Sequence, residues 1–277
     1  MASMQLFQVM VGVILAAVVA VAAYRLKTLS HSGAWGAFAL GVVVFGFGGL
    51  RWAVMLLVFF FTSSGLSRFM RLSKKEVEEQ FSKGSRRDAW QVAANGGVAG
   101  LAVLIGVFFP ASIVPWVVFT AAIAAATADT WATELGVLSR RWPRNIRNFQ
   151  QVPPGTSGGI SAVGMLAATG GAALIALTAW FTWPVAATPM ADRSLYALVI
   201  IAAGVTGSFI DSLLGATVQA IYRCPVCEKA TEKHPLHTCG NRTIKLRGWK
   251  WMNNDAVNLV CTGSSALIAL VFALIIL

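Results

Sequence analysis

Two acids and three hydroxyls fall within eight residues of this chain, in the run Thr127-Ala-Asp129-Thr130-Trp-Ala-Thr133-Glu134, at the end of a stretch that is otherwise apolar. Such groups are hard oxygen donors, the set that Mg²⁺ prefers. Asp129 and Glu134 stand five residues apart, about 140° around an ideal helix. One ion is gripped by both only if the helix breaks or another segment approaches. An unpaired carboxylate at membrane depth costs at least ~2.5 kcal/mol, so acids in apolar runs point to a site rather than to packing.

Three further sets of polar residues have the same character. In Asp88-Ala-Trp-Gln91-Val-Ala-Ala-Asn95, the three polar side chains fall within about 60° on a helix, forming one stripe that serves either a substrate or a clamp between helices. The run Val152-Pro-Pro-Gly155-Thr156-Ser157-Gly158-Gly159 reads as a Gly-rich turn opening onto a helix, with Arg140, Arg141, Arg144 and Arg147 just upstream. Exposed backbone N–H groups and the helix dipole make such a turn a phosphate cradle, or it is a simple tight turn; no Gly-Lys-Ser/Thr follows, so it is not a Walker A loop. The last set is split between Asp211-Ser212 in one apolar run and Asn254-Asp255-Ala-Val-Asn258 at the start of another. Asp211 reads as a ligand or as a buried hydrogen-bond partner. Asp129, Glu134, Asp211 and Asp255 are the candidate catalytic acids and Mg²⁺ ligands. Arg87, Asp88, Gln91, Asn95, Thr130, Thr133, the Gly155–Gly159 turn, Ser212, Asn254 and Asn258 are candidates for holding a phosphate-bearing substrate. Phosphoryl transfer needs little beyond such positioning and electrostatic groups.

A different chemistry is offered by Cys224-Pro-Val-Cys227, whose spacing turns two thiolates toward one metal, followed by His234, His237 and Cys239. Cys224, Cys227, Cys239 and one histidine, His237 or alternatively His234, form a set able to hold a structural Zn²⁺. A redox pair or unligated thiols are the other readings. A disulfide is disfavoured if the loop lies in a reducing cytosol. Cys261, in the last apolar run, reads as a small packing residue.

The elements that must position these groups are apolar runs of membrane-spanning length. With 57% hydrophobic and 12% charged residues, the 277-residue chain reads as a single integral membrane domain, all-α, of about eight transmembrane helices. The runs lie near 5–23, 34–49, 52–66, 91–109, 112–138, 159–182, 195–221 and 255–276. The segment 222–254 is then a small Cys-rich cytoplasmic loop, and Leu72–Arg87 a short surface helix or flexible linker. Alternate connectors hold 20 of the 22 Lys and Arg; only Arg51 and Arg193 lie in the opposite set. The positive-inside rule then places both termini outside and the polar clusters toward the cytoplasm. Topology accounts for the net charge of +11, with no nucleic-acid partner required. No basic n-region precedes the first apolar run and no small-residue cleavage site follows it, so it reads as a retained helix. A prokaryotic plasma membrane is the simplest address, a thylakoid membrane the alternative.

Five motifs, Arg87-Asp-Ala-Trp-Gln-Val-Ala-Ala-Asn-Gly96, Ala128-Asp-Thr-Trp-Ala-Thr-Glu-Leu-Gly136, Val152-Pro-Pro-Gly-Thr-Ser-Gly-Gly159, Gly207-Ser-Phe-Ile-Asp-Ser-Leu-Leu-Gly215 and Trp251-Met-Asn-Asn-Asp-Ala-Val-Asn258, resemble those of the phytyl-phosphate kinase family of membrane proteins and its uncharacterised prokaryotic relatives. The resemblance runs over roughly residues 30 to 277 and includes the C-x2-C loop. It implies a membrane enzyme that phosphorylates a prenyl monophosphate, phytyl phosphate or similar, to the diphosphate, with a nucleoside triphosphate such as CTP as donor. A transporter or flippase for a phosphorylated lipid is the competing reading, since the same acids and basic rim suit carriage without chemistry.

Overall fold

The structure is a computed structural model that describes residues 2–70, 86–184 and 190–276, and side chains within these from Leu6 on, apart from residues 190 and 191. Among the described residues, eight segments are long and apolar enough to span a membrane. They are α1 (Ala2–Arg25), α2 (His31–Gly41) continued by a π-helical stretch (Val42–Gly48), α3 (Leu50–Met70), α4 (Ala89–Phe108), α5 (Val114–Gly136), α6 (Ala162–Phe181), α7 (Met190–Thr217) and α8 (Asn254–Ile276). The all-α expectation with its Cys-rich loop therefore holds. The connectors add two small antiparallel sheets: β1 (Arg144–Asn145) with β2 (Gly159–Ile160), and the order β4-β3-β5 of β3 (Ile221–Arg223), β4 (Ala230–Thr231) and β5 (Ile244–Arg247). Two of the boundaries that differ from the apolar runs are moved by strands. The sixth span begins at Ala162, because Gly159 and Ile160 pair with β1, and the seventh ends at Thr217, because Ile221 enters β3. Of the linker Leu72–Arg87, residues 72–85 lie outside the described residues.

The bundle is organised around α5, which packs against α3, α4, α6, α7 and α8. Every residue from Ala121 to Ala128 is buried. The reason is visible in the sequence: an Ala-rich helix lets neighbouring backbones approach closely, as membrane helices do when lipid gives no hydrophobic drive between them. Glycines on the neighbours complete the fit. A Cβ at Gly171 would stand 3.1 Å from the Thr127 carbonyl oxygen, one at Gly204 3.0 Å from the Ala124 Cβ, and one at Gly207 2.9 Å from the Ala125 Cβ. Two buried hydroxyls tie helices together across this packing, Ser265 donating to the Ala121 carbonyl (2.9 Å) and Thr262 to that of Ala94 (3.0 Å). Cys261, beside them, is buried.

At the last turns of α5 the packing opens. From Asp129 onward the residues are only partly buried, and Thr133 is exposed. Arg87 and Arg141 line that opening. Leu29 bridges Arg87, whose N–H donates to Thr28 and whose carbonyl accepts from Ser30, so the α1–α2 link fixes the backbone just before α4.

Candidate functional site

A cavity of about 340 Å³ occupies the opening at the end of α5, and all four polar clusters contribute to its wall. From the α4 region come Arg87, Gln91 and Asn95; from α5, Asp129, Thr130, Thr133 and Glu134; from the Gly-rich turn, all of Gly155–Gly159; from α7, Asp211 and Ser212; from α8, Asn254 and Asn258. Residues as distant in sequence as Arg87 and Asn258 thus share one space of the size typical for small ligands. Two candidates lie elsewhere. Asp88 is the N-cap of α4, accepting from the Gln91 N–H (3.0 Å) while Gln91 Oε1 accepts from the Asp88 N–H (3.3 Å), a capping box that spends its carboxylate on the helix end. Asp255 faces a neighbouring pocket.

The acids fall into two arms. α5 runs unbroken through Asp129 and Glu134, so the roughly 140° between them is spanned by other helices and not by a kink. On one side Glu134 Oε1 accepts from Ser67 Oγ of α3 (2.8 Å), and its charge acts on the enclosed Arg87 guanidinium. Burial lowers the Arg87 pKa and Glu134 opposes that shift; the guanidinium also stacks over Phe59, 5.6 Å from the ring centre. On the other side Asp211 feels the charges of Asp129 and of Glu232. Its Oδ2 is buried and has no hydrogen-bond partner among the described residues. A buried acceptor of this kind is costly unless something satisfies it, and a cation does so.

Glu232 is a site residue that the sequence reading missed. It lies in the Cys-rich loop, yet its Oε1 accepts from Gln219 Nε2 (2.9 Å) and from Ser157 Oγ of the Gly-rich turn (3.1 Å). Nothing in the composition of the loop marks it; β3 pairing with β4, Tyr222 opposite Thr231, is what carries the next residue to the cavity. Ser67, Arg141, Ser161, Ser208 and Gln219 also line the wall and went unmarked as site residues.

The Gly-rich turn departs from the simple cradle. The Thr156 N–H donates to Pro153 and that of Gly159 to Thr156, leaving at most the amides of Gly155, Ser157 and Gly158 for a ligand. The helix N-terminus behind it is capped by Ser161, which accepts from Gly164. Gly155 and Gly158 have φ of +84° and +83°, and a Cβ on Gly158 would stand 2.5 Å from the backbone N of Ala216. The turn is therefore pressed onto the end of α7. Of the four upstream arginines, Arg141 lines the cavity, while Arg144 donates to the Phe149 carbonyl (2.8 Å).

The Cys-rich loop brings Cys224, Cys227, His237 and Cys239 together, one ligand atom from each lying within 4.8 Å of the others. The cysteines are free thiols, with Cys224 Sγ and Cys239 Sγ 3.5 Å apart and the Cys227 N–H directed at Cys224 Sγ (3.4 Å). Hydrogen bonds from Asn241 and His237 hold the Cys239 thiol down to about 5, whereas that neighbour pushes Cys227 up to about 11. His237 is buried, and its Nδ1 faces Cys239 Sγ (3.2 Å), the nitrogen that a metal in this group would meet. Of the two candidate histidines His237 lies in this group, whereas His234 stacks on Tyr222, 4.4 Å between ring centres. The donor set fits a structural zinc knuckle. Among the described residues this is the group in which three or more ligating atoms come so close. Asp129, Glu134, Asp211 and Asp255 form no such close group among the described residues.

Comparison with known proteins places this architecture. Protein PGR of Arabidopsis thaliana is 33% identical over 275 residues, covering 92% of each chain. An uncharacterised membrane protein of Methanocaldococcus jannaschii is 31% identical over 212 residues, 76% of this chain and 83% of its own. One of Synechocystis is 23% identical over 249 residues, 88% and 82% respectively. No solved structure matches. The family described as integral membrane protein DUF92 matches residues 14–266, nearly the whole bundle with its cavity and knuckle, and the chain belongs to that family of integral membrane proteins.

Proposed function

We propose that the cavity at the end of α5 transfers a phosphoryl group from a nucleoside triphosphate, CTP by resemblance, to a prenyl monophosphate. The observation that carries this reading is the convergence of Asp129 and Asp211, the Gly-rich turn and Arg87 on one space at the end of a membrane bundle. The wall facing the spans carries Met165, Ala168, Val205 and Phe209, an apolar side for the first units of a lipid tail. Arg87, Arg141 and the turn amides bind the phosphate head. A monophosphate oxygen attacks the γ-phosphorus, the new P–O bond forms as the bond to the β-phosphate oxygen breaks, and the nucleoside diphosphate leaves. A phosphate monoester is already mostly dianionic at pH 7, so no general base is needed. Asp129 and Asp211 would hold Mg²⁺, which neutralises charge on the donor phosphates. Glu134, secured by Ser67 and Arg87, orients the arginine. In this reading the cavity faces the cytoplasm, with both termini outside, in a prokaryotic plasma membrane or a thylakoid membrane; the alternation of basic connectors along the sequence supports it.

The test is purified protein in nanodiscs with γ-labelled nucleotides, Mg²⁺ and geranyl, farnesyl, geranylgeranyl and phytyl monophosphates. Label is expected in a prenyl diphosphate. Absence of label transfer with every pair, together with nucleotide-independent movement of lipid phosphate across vesicles, would replace the kinase by a carrier.

A further inference from the structure

A second pocket, of about 350 Å³, adjoins the first on the connector side. The two share Glu232 and Asn254, which line both. Its remaining wall is built from the 218–253 connector and the first turn of α8, including Tyr222, Lys233, His234, Lys250 and Asp255. None of these lies in the middle of a span, so no lipid tail reaches it from the bilayer. Its chemistry is mixed: two lysines, two carboxylates, two asparagines and an imidazole stacked on a phenol. An anion site alone would not carry Glu232 and Asp255, and a metal cage would not carry lysines.

We infer that this second pocket binds the nucleoside end of the phosphoryl donor, whose triphosphate passes between Glu232 and Asn254 into the cavity where transfer occurs. The inference rests on the phosphotransferase reading above and adds to it where the donor sits. Each wall group has a counterpart in such a ligand. Lysine ammoniums meet phosphate oxygens as mobile point charges. The Asp255 carboxylate and the amides of Asn253 and Asn254 suit ribose hydroxyls and the edge of a base. His234, exposed on its outer side and supported beneath by buried Tyr222, offers a flat face for stacking. The two substrates then approach from opposite directions, lipid from the spans and nucleotide from water, and meet at the acids. The knuckle gains a function as well, because Glu232, Lys233 and His234 lie between its Cys227 and His237 ligands and are presented by it.

The experiment measures equilibrium binding of β,γ-methylene CTP and β,γ-methylene ATP, and separately of farnesyl phosphate, to full-length protein in nanodiscs. Wild type is compared with Lys233→Ala/Lys250→Ala and with His234→Ala. The double variant is expected to weaken nucleotide binding by about tenfold or more, the loss of charge-assisted contacts, with farnesyl phosphate affinity within about twofold and zinc content unchanged. His234→Ala is expected to narrow the preference between the two bases. Nucleotide affinity unchanged in both variants overturns the second pocket while leaving the kinase intact. Failure of the wild type to bind any nucleotide, with lipid phosphate present or absent, overturns the kinase reading and the inference together. A zinc-depleted double variant is replaced by Lys250→Gln alone, since Lys250 lies outside the knuckle, and the same two outcomes decide.

Discussion

Cys224, Cys227, His237 and Cys239 come from one short loop and already hold their ligand atoms within 4.8 Å, whereas the cavity acids come from α5, α7 and the loop and form no such group among the described residues. The first arrangement is closed and complete, with soft donors and a hydrogen bond from Asn241 to the Cys239 sulfur (3.3 Å) that supports the ligand from behind. The second is open and incomplete, with the Asp211 Oδ2 left unsatisfied. A closed set holds a metal for the sake of the fold; an open one leaves coordination positions for what arrives with the substrate. The knuckle nevertheless reaches the cavity through Glu232, so stability in one region sets geometry in the other.

The strongest way to break this comparison is to test the knuckle for its expected zinc and remove its ligands. Structural zinc contributes on the order of 10–16 kcal/mol of apparent binding energy in small peptides. Purified protein is expected to carry about one zinc per chain, lost in Cys224→Ser/Cys227→Ser. The double mutant should also lose affinity for the phosphate substrate, because Glu232 no longer reaches Ser157. A wild-type preparation made without chelator that contains no zinc ends the structural-metal account.

Next comes charge in the open site. Asp129→Asn and Asp211→Asn keep shape but delete a ligand charge, and removal of a comparable electrostatic group lowers kcat about 10²–10³-fold. Zinc content and thermal unfolding should stay at wild-type values. Near-normal turnover in both variants at normal expression would falsify the ligand assignment.

Backbone constraint separates the two regions in a third way. Gly158 and Gly240 both have positive φ, +83° and +82°, but a Cβ on Gly158 strikes Ala216, while one on Gly240 in the knuckle meets nothing within 4 Å. Gly240→Ala should therefore cost only the conformational term, about 1–2 kcal/mol, and Gly158→Ala that plus overpacking of about 1–3 kcal/mol. Thermal unfolding of the two variants in the same nanodiscs gives the difference. A larger loss at Gly240 contradicts the close approach of turn and α7.

What could be read from sequence follows from how far each signal travels along the chain. The eight spans were legible because twenty or so apolar residues form a local signal, and the knuckle because C-x2-C does. That the polar clusters would share a cavity rested on their common membrane side, which charge alternation supplies. Glu232 was invisible since its importance comes from strand pairing, not from its neighbours in a polar loop. Asp255 was misplaced for the complementary reason: it sits one residue from Asn254, which does line the cavity, and only the direction of the first turn of α8 turns it into the second pocket. The Gly158 turn looked like an accessible cradle because its contact with Ala216 joins residues that are distant in sequence.

The smallest effect tests the distinction between the two arms of acids. Ser67 donates to Glu134 Oε1 from α3, and the same carboxylate acts electrostatically on Arg87, so Glu134 has a link to a neighbouring helix and to a cationic side chain. Ser67→Ala removes one hydrogen bond to a charged group, about 1.5–3 kcal/mol when fully buried and less here because the pair is only partly enclosed. A reduction in kcat of about tenfold or less is expected, with the Mg²⁺ concentration for half-maximal activity unchanged, since the arm positions Arg87 and holds no metal. Asp129→Asn, by contrast, should shift that Mg²⁺ dependence upward. If Ser67→Ala moves the Mg²⁺ dependence as far as Asp129→Asn does, Glu134 belongs with the metal-holding acids, and the division of the cavity into a positioning arm and a metal arm fails.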